Sequence, residues 1–190
     1  GKVQTADRIE IEGYRSTASV IHEYLNNKVK KPLSIAVFGQ PGAGKSFGVK
    51  EVIKAVLNKD EDWEPIEANL SQFLQYSDLV HVFDKIRDTS LKGQTPVVLF
   101  DEFDSAFNGP LGWLKYFLAP MQDGEFLDSG FVRPLGRAIF IFIGGTSSTF
   151  SGFKYGTEAR ARKMEAAERK AREKVATEKK AVEEAAAKQA

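Results

Sequence analysis

A glycine-rich segment between a predicted strand and a predicted helix constrains this chain more than any other feature. The segment consists of Gly39, Gln40, Pro41, Gly42, Ala43, Gly44, Lys45 and Ser46. The largely apolar residues 33–38 before it predict a buried strand, and residues 47–57 after it have helical periodicity. This strand–loop–helix context distinguishes a functional G-x-x-x-x-G-K-[ST] loop from a chance match to the pattern.

The residue types of this loop suit a phosphate group. Glycines let the backbone approach closely enough for its N–H groups to point at phosphate oxygens, and the following helix adds the positive end of its dipole. We expect Lys45 to reach the β- and γ-phosphates, and the hydroxyl of Ser46 to coordinate Mg²⁺. The predicted nucleotide-binding segment extends from Gly39 to Phe47. The alternative is a plain glycine turn between a strand and a helix.

Two acids follow the next strongly apolar run. Residues 96–100 predict a strand buried on both faces of a parallel sheet, and this run ends in Asp101 and Glu102. Ligands of open α/β sheets gather at the carboxyl ends of the strands, so both acids should lie beside the Lys45 loop. We expect Asp101 to hold Mg²⁺, directly or through water, and Glu102 to orient or deprotonate the water that attacks the γ-phosphate. The alternative is that both acids simply end a strand.

A third apolar run, residues 138–143, leads into small hydroxyl residues. Thr146 and Ser147 should therefore lie at the same sheet edge, near the γ-phosphate. The sequence contains no Asn-Lys-x-Asp element after the acidic pair, which argues against a guanine-specific GTPase.

The order of loop, Asp-Glu strand and polar-tipped strand resembles the AAA+ ATPases over about residues 33–150. The resemblance implies ATP and Mg²⁺ as ligands, with catalytic roles for Lys45 and Glu102. It also implies a nucleotide-sensing residue after the third strand, where the family commonly has Asn and this chain has Ser147 preceded by Thr146. Residues 69–73 and 112–120 resemble a poorly characterised bacterial branch of the family.

Further expectations follow only from that resemblance. Ring-forming members grip a polypeptide with an aromatic residue in the segment that corresponds to residues 71–76, where Phe73 is the candidate; the alternative is that Phe73 packs in the core. Arg133 and Arg137 lie where such rings present an arginine to a neighbouring subunit, although either could be a surface charge. A possible homo-oligomeric ring and a protein substrate are thus implied. The fifth strand and helical lid of a complete module have no evident counterpart after residue 150.

Composition excludes several other classes of protein. The 190 residues are 42% hydrophobic and 28% charged with a net charge of +1, which permits a substantial core and does not indicate nucleic-acid binding. Cysteine is absent and only two histidines occur, so thiol chemistry and multi-histidine metal sites are excluded. No segment has the length and apolarity of a membrane span or of a signal peptide, and we expect a cytoplasmic location.

The remaining patterns predict helices at residues 16–31, 76–91 and 109–123, a short strand at 64–70, and a loop at 128–137. Ser16 or Thr17 could cap the first of these helices. The basic cluster at its end, residues 28–31, fits compensation of the helix dipole better than a nucleic-acid patch.

Residues 157–190 are almost entirely Ala, Glu, Lys and Arg, which predicts a long, largely solvated helix. We therefore expect an ATPase core in residues 1–156 and a charged helical tail in residues 157–190. The predicted fold is a three-layer α/β P-loop NTPase with a mainly parallel sheet. The predicted function is hydrolysis of Mg·ATP to drive conformational work on a macromolecular partner. The alternatives are a nucleotide-dependent switch or scaffold, and a small-molecule kinase, for which no arginine-rich lid is evident.

Overall fold

The computed structural model describes residues 8–40, 42, 44–59, 63–145, 149–156, 166 and 169–170, and the side chains of all of these except 8–10 and 155. The chain divides into two compact units, residues 1–146 and 147–190. The first unit contains all six strands of the described residues, which are β1 (Leu33–Val37), β2 (Ile66–Asn69), β3 (Val97–Asp101), β4 (Glu125–Asp128), β5 (Phe131–Pro134) and β6 (Ile139–Ile143). Its α-helices are α1 (Arg8–Asn26), α2 (Lys45–Leu57), α3 (Tyr76–Leu91) and α4 (Leu118–Gln122).

Four of these strands form one parallel sheet in the order β1-β6-β3-β2. The last residues of the strands are in register: Val37 of β1 pairs with Ile143, which pairs with Asp101, which pairs with Asn69 of β2. All four strands thus end at one edge of the sheet, and the segments that follow them leave from that edge.

Side-chain alternation along β6 separates two cores. Ile139, Ile141 and Ile143 lie in a cluster with Ile21 of α1 and Ile53 of α2. The two phenylalanines between these isoleucines lie on the opposite face, because successive strand residues point to opposite sides of a sheet. A continuous apolar strand therefore supports helices on one face and an aromatic core on the other.

The second core consists largely of aromatic rings. Phe100 of β3 is fully buried and stands edge-to-face with Phe117 and Phe140, at centroid distances of 4.8 and 5.3 Å. Phe117 in turn contacts Phe83 of α3 at 5.8 Å, which ties that helix to the sheet through the ring contacts. The three-layer α/β architecture with a parallel sheet is as predicted.

Several predicted elements are confirmed closely. Helix α3 spans Tyr76–Leu91, the predicted residues, and its first turn is closed by reciprocal side-chain hydrogen bonds of Gln75 and Asp78 with the backbone. The strands β1, β2, β3 and β6 lie within the predicted strands or extend one residue beyond them.

The prediction for the first helix was wrong at both ends. Helix α1 includes residues from Arg8 and ends at Asn26, instead of spanning 16–31. Thr17 does not cap the helix, because its hydroxyl donates to the carbonyl of Gly13 one turn earlier, at 2.9 Å. Lys31 lies in the basic segment after the helix, and its carbonyl accepts a hydrogen bond of 2.9 Å from the hydroxyl of Tyr24 in α1. This segment therefore folds back along α1.

The predictions for residues 109–123 and 128–137 were also wrong. The first is a turn, a 3₁₀ helix at Leu114–Phe117 and the short helix α4, in place of one continuous helix. The second includes β5, which pairs with β4 in an antiparallel hairpin. Ser129 and Gly130 both have positive φ at its tip, the conformation favoured by two-residue hairpin turns.

The second unit contains the helix α5 (Phe150–Tyr155), whose N-cap Thr149 accepts a hydrogen bond from the backbone N–H of Gly152. No strand follows β6 in the described part of the chain. The predicted tail helix lies outside the described residues, apart from helical Ala166, Arg169 and Lys170. Within the described ranges, no helix combines the length and apolarity that a membrane span requires.

The aromatic core generates a stability prediction. We expect Phe100→Ala to lower the free energy of unfolding by about 3–5 kcal/mol, because it removes a buried ring from between other rings. Urea denaturation measures this change. The matched control is Phe131→Ala on the hairpin, where the ring is 71% exposed and where we expect a change below about 0.5 kcal/mol. Equal losses in the two variants would contradict the assigned core.

Candidate functional site

The glycine-rich loop connects β1 to α2 at the carboxyl edge of the sheet. Gly42 and Gly44 have φ angles of 76° and 69°, a left-handed conformation that only glycine adopts at little cost. Gly44 is the N-cap of α2, so the free N–H groups of the first helical turn face the loop. Pro41 and Ala43 lie outside the described residues. The local geometry is that of an anion-binding helix N-terminus preceded by a turn.

Lys45, the first residue of α2, points back along the loop. Its ammonium group donates hydrogen bonds to the carbonyls of Gly39 and Gln40, both at 2.9 Å. These two loop residues therefore contribute backbone oxygens that hold the lysine head at the loop. An ammonium with three donors in this place can also bind phosphate oxygens.

Ser46 and Asp101 come together from different elements. The hydroxyl of Ser46 donates to Oδ1 of Asp101, the last residue of β3, at 3.2 Å. Partial burial raises the pKa of Asp101, an effect that the hydrogen bond from Ser46 partly offsets. A hydroxyl and a desolvated carboxylate side by side are hard oxygen ligands, the type that Mg²⁺ prefers.

Charged side chains surround this pair. Lys50, one turn after Ser46 on α2, forms ion pairs with Glu67 of β2 and, at 3.4 Å, with Glu64. Hydrogen bonding to Glu67 raises the pKa of Lys50. The positive charge of Lys50 favours ionised Asp101, whereas Glu67 and Glu102 oppose its ionisation.

Glu102 follows β3 directly and is exposed. Its φ angle is 52°, in the left-handed region that non-glycine residues rarely adopt, and its carbonyl accepts a hydrogen bond from the N–H of Ser105 at 2.9 Å. Such backbone strain is often found at functional sites. The turn begins directly after Asp101, the last residue of β3, and directs the chain away from the sheet.

One cleft of about 470 Å³ brings the predicted residues together. Its lining includes residues from the loop and α2, from the ends of β2, β3 and β6, and from the segments after them. These are Gly42, Gly44, Lys45, Ser46, Phe47, Asn69, Asp101, Glu102, Ile143, Gly144 and Gly145. Residues separated by about a hundred positions in the sequence thus share one wall.

Other predicted residues lie elsewhere or are not described. Thr146 and Ser147 lie outside the described residues. Phe73 packs edge-to-face against the buried Trp113 at 5.9 Å, which matches the core alternative for this ring. Arg133 forms an ion pair with Asp128 at 2.8 Å within the hairpin.

Arg137 has a packing role. Its guanidinium group donates to the carbonyl of Tyr24 at 2.8 Å and lies 4.9 Å from the centre of the Tyr24 ring. These contacts tie the segment before β6 to α1. They account for the position of this arginine without a partner subunit.

Sequence reasoning missed several groups at this edge. Asn69 lines the cleft at the end of β2, and Gly144 and Gly145 follow β6. Asp104 is only 5% exposed and accepts a hydrogen bond from the N–H of Gly145. The sequence did contain a signal for Asp104, since it is a third acid close behind Asp101 and Glu102. An acid at that spacing can be buried even where Glu102 is exposed.

Comparison with known proteins finds a matching family model and similar proteins. Residues 35–125 match the family model "ATPase family associated with various cellular activities (AAA)". A Torsin-like protein of Drosophila melanogaster is 28% identical over 134 residues, which cover 67% of this chain and 38% of that protein. The Aeropyrum pernix ORC2 protein, solved as ADPNP–ADP complexes, is 17% identical with a TM-score of 0.39, covering 76% of this chain and 43% of its own. The chain thus spans less than half the length of these relatives.

The raised pKa of Asp101 predicts a pH-dependent effect of Asp101→Asn on stability. A carboxyl whose pKa is higher in the folded state adds stability at low pH, and this contribution is lost as the pH rises through the folded pKa. We therefore expect the variant to gain stability relative to the parent as the pH rises from acid to neutral. Urea denaturation across that range measures the difference. Exposed Asp88→Asn is the control, and a relative gain that shrinks with rising pH would contradict the prediction.

Proposed function

We propose that this chain, whose residues 35–125 match the AAA family model, is an AAA+ P-loop ATPase that binds Mg·ATP and hydrolyses it to drive conformational work on a macromolecular partner. The observation that carries the proposal is the convergence of Lys45, the Ser46–Asp101 pair and Glu102 on one cleft. The nucleotide-dependent ATPase character follows from the family, and the roles of individual residues are proposals from geometry.

Phosphate binding is assigned to the loop and the start of α2. The left-handed glycines allow the backbone to curve around an anion, and the first N–H groups of a 13-residue helix add favourable dipole interactions. Lys45 would exchange its bonds to the loop carbonyls for bonds to phosphate oxygens. This exchange keeps the ammonium hydrogen-bonded with and without nucleotide, so the lysine needs little rearrangement on binding.

The residues present fit a magnesium ion. Ser46 and Asp101 offer oxygen atoms from two elements, and the raised pKa of Asp101 reflects a carboxylate that burial disfavours and a nearby cation would stabilise. A bound Mg²⁺ would neutralise charge on the phosphates. We assign Ser46 and Asp101 to hold it.

Glu102 is assigned as the general base. It is exposed to the cleft, one residue beyond Asp101, and its strained turn separates its backbone from the sheet edge. The two adjacent acids can therefore act separately, with Asp101 toward the hydroxyl of Ser46 and Glu102 toward a water molecule. An acid that accepts the proton of water supports hydrolysis over phosphate transfer to a substrate hydroxyl.

Ring assembly and a protein substrate are the further part of the proposal, and they rest on the family. Because Arg137 is bound to Tyr24 of its own subunit and the ion pair of Arg133 is partly exposed, Arg133 is the better candidate for contact with a neighbouring subunit. A cytoplasmic location and a bacterial origin stay predictions. The net charge of +1 does not favour nucleic acid as the partner.

Nucleotide binding is tested by Lys45→Ala. Loss of a charged hydrogen-bond donor worth about 1.5–3 kcal/mol should weaken ATP affinity by about 10–100-fold, measured by calorimetric titration with Mg·ATP. The control is Lys54→Ala, two turns further along α2, where we expect parental affinity. Unchanged affinity in the Lys45 variant would remove the loop from the nucleotide site.

Hydrolysis is tested by Glu102→Gln. The amide keeps the size of the side chain and loses its basicity, so ATP should bind with parental affinity while phosphate release falls by about 10²–10⁴-fold. Phosphate release and ATP titration are measured on the same samples, with exposed Glu125→Gln on β4 as the control. Parental turnover in the Glu102 variant would refute its role. A parent that binds ATP and releases no phosphate would favour the alternative of a nucleotide-dependent switch.

A further inference from the structure

Asp104 is a buried acid that the proposed chemistry does not use. It lies three residues after Asp101, is 5% exposed, and its Oδ1 accepts a hydrogen bond of 2.9 Å from the backbone N–H of Gly145. A buried carboxylate requires hydrogen-bond partners to offset the loss of water. This bond also joins two segments that the sheet does not pair, one after β3 and one after β6.

Gly145 is the residue against which Glu102 packs. A β-carbon added at Gly145 would lie 2.9 Å from Cγ of Glu102 and 3.1 Å from its Cδ. The first of these distances is shorter than van der Waals contact allows, so only glycine leaves the Glu102 side chain its present position. The backbone of Gly145 therefore forms one wall of the space that Glu102 occupies.

The backbone of Glu102 is constrained independently. Its φ angle is 52°, and the hydrogen bond from the N–H of Ser105 to the Glu102 carbonyl closes a four-residue turn that contains Asp104. That turn places the carboxylate of Asp104 within hydrogen-bonding distance of the Gly145 N–H, while Glu102 lines the cleft. The same short loop thus contains both Glu102, the proposed base, and Asp104, which binds the backbone of Gly145 beside it.

We propose that Asp104 is a positioning residue for Glu102 and acts through Gly145. The hydrogen bond between Asp104 and Gly145, here called the clasp, fixes the distance between the segments after β3 and β6. This distance sets where the Glu102 carboxylate can stand relative to the phosphate loop. The inference rests on the proposed role of Glu102, and its test includes measurements that do not need hydrolysis.

The clasp itself is tested by amide hydrogen exchange in the full chain without nucleotide. Asp104→Ala removes the acceptor and should speed the exchange of the Gly145 amide, while the amides within β6 stay protected. Asp104→Asn keeps an acceptor oxygen without its charge, so we expect an intermediate rate. Unchanged exchange at Gly145 in Asp104→Ala would overturn the clasp.

The positioning of Glu102 is tested by Gly145→Ala, with Gly13→Ala in α1 as the matched control because no atom lies within 4 Å of a β-carbon there. In protein labelled with ¹³C at glutamate carboxyl groups, the Glu102 resonance, assigned through Glu102→Gln, should shift in the Gly145 variant and not in the control. An unshifted resonance would overturn the packing step.

Kinetics provides the third readout. A misplacement of about 1 Å can cost about 10²-fold in rate, and relief of the 2.9 Å contact needs a smaller shift, so we expect Gly145→Ala to lower kcat by about 10-fold and by no more than about 10²-fold at parental ATP affinity. Asp104→Asn should retain more activity than Asp104→Ala. A fall in ATP affinity at unchanged kcat would show a structural role only and refute the proposal. If the parent itself releases no phosphate, hydrolysis as the proposed function fails, and the exchange and resonance measurements still decide the clasp.

Discussion

The site depends on the in-register parallel pairing of four strands. Because Val37, Ile143, Asp101 and Asn69 lie in one row across the sheet, the chain leaves all four strands at the same level. Each strand end then contributes one part of the cleft: the glycine-rich loop after β1, Asn69 at the end of β2, the acidic turn at the end of β3 and the glycines after β6. A shift of one residue in any of these pairings would move a whole segment and turn its side chains to the other face.

Two hydrophobic cores, one aliphatic and one aromatic, pack on the two faces of the sheet and hold the strand ends in place. Branched aliphatic side chains join β6 to α1 and α2, whereas stacked and edge-to-face phenylalanines join the other face to α3 and to the 3₁₀ helix. Close-packed interiors resist small displacements, so the site rests on a rigid base. One strained residue lies in the turn that follows β3, where Glu102 has its positive φ angle.

Charge at the cleft is compensated locally. Lys45 binds two carbonyls, Asp101 accepts from Ser46, and Asp104 accepts from Gly145. Asp101 and Asp104 thus have partners from a different segment of the chain, whereas Lys45 binds within its own loop. This pairing makes the electrostatics of the site a consequence of the topology, since a change in one segment alters the partner available to another.

The loop, the strands and the acids at the end of β3 could be predicted from sequence because their signals are local. Apolar runs of five residues, glycines at fixed spacing and a lysine before a helical pattern need no distant partner to be recognised. The predictions failed where a contact with another part of the chain decides the outcome. The start of helix α1 is an exception, because Thr17 bonds to Gly13 within the helix instead of capping it. Residues 128–137 include a strand because β4 is there to pair with it.

By itself, the sequence determined that a phosphate-binding loop and an acidic strand end occur in one α/β chain, since each is specified by adjacent residues. Only the tertiary structure decided that Asp101 meets Ser46 across 55 positions, that Phe73 packs on Trp113, and that Gly145 stands against Glu102. The physical reason is that these contacts depend on strand order and register. Both are properties of the packed sheet, which no single segment of the chain encodes.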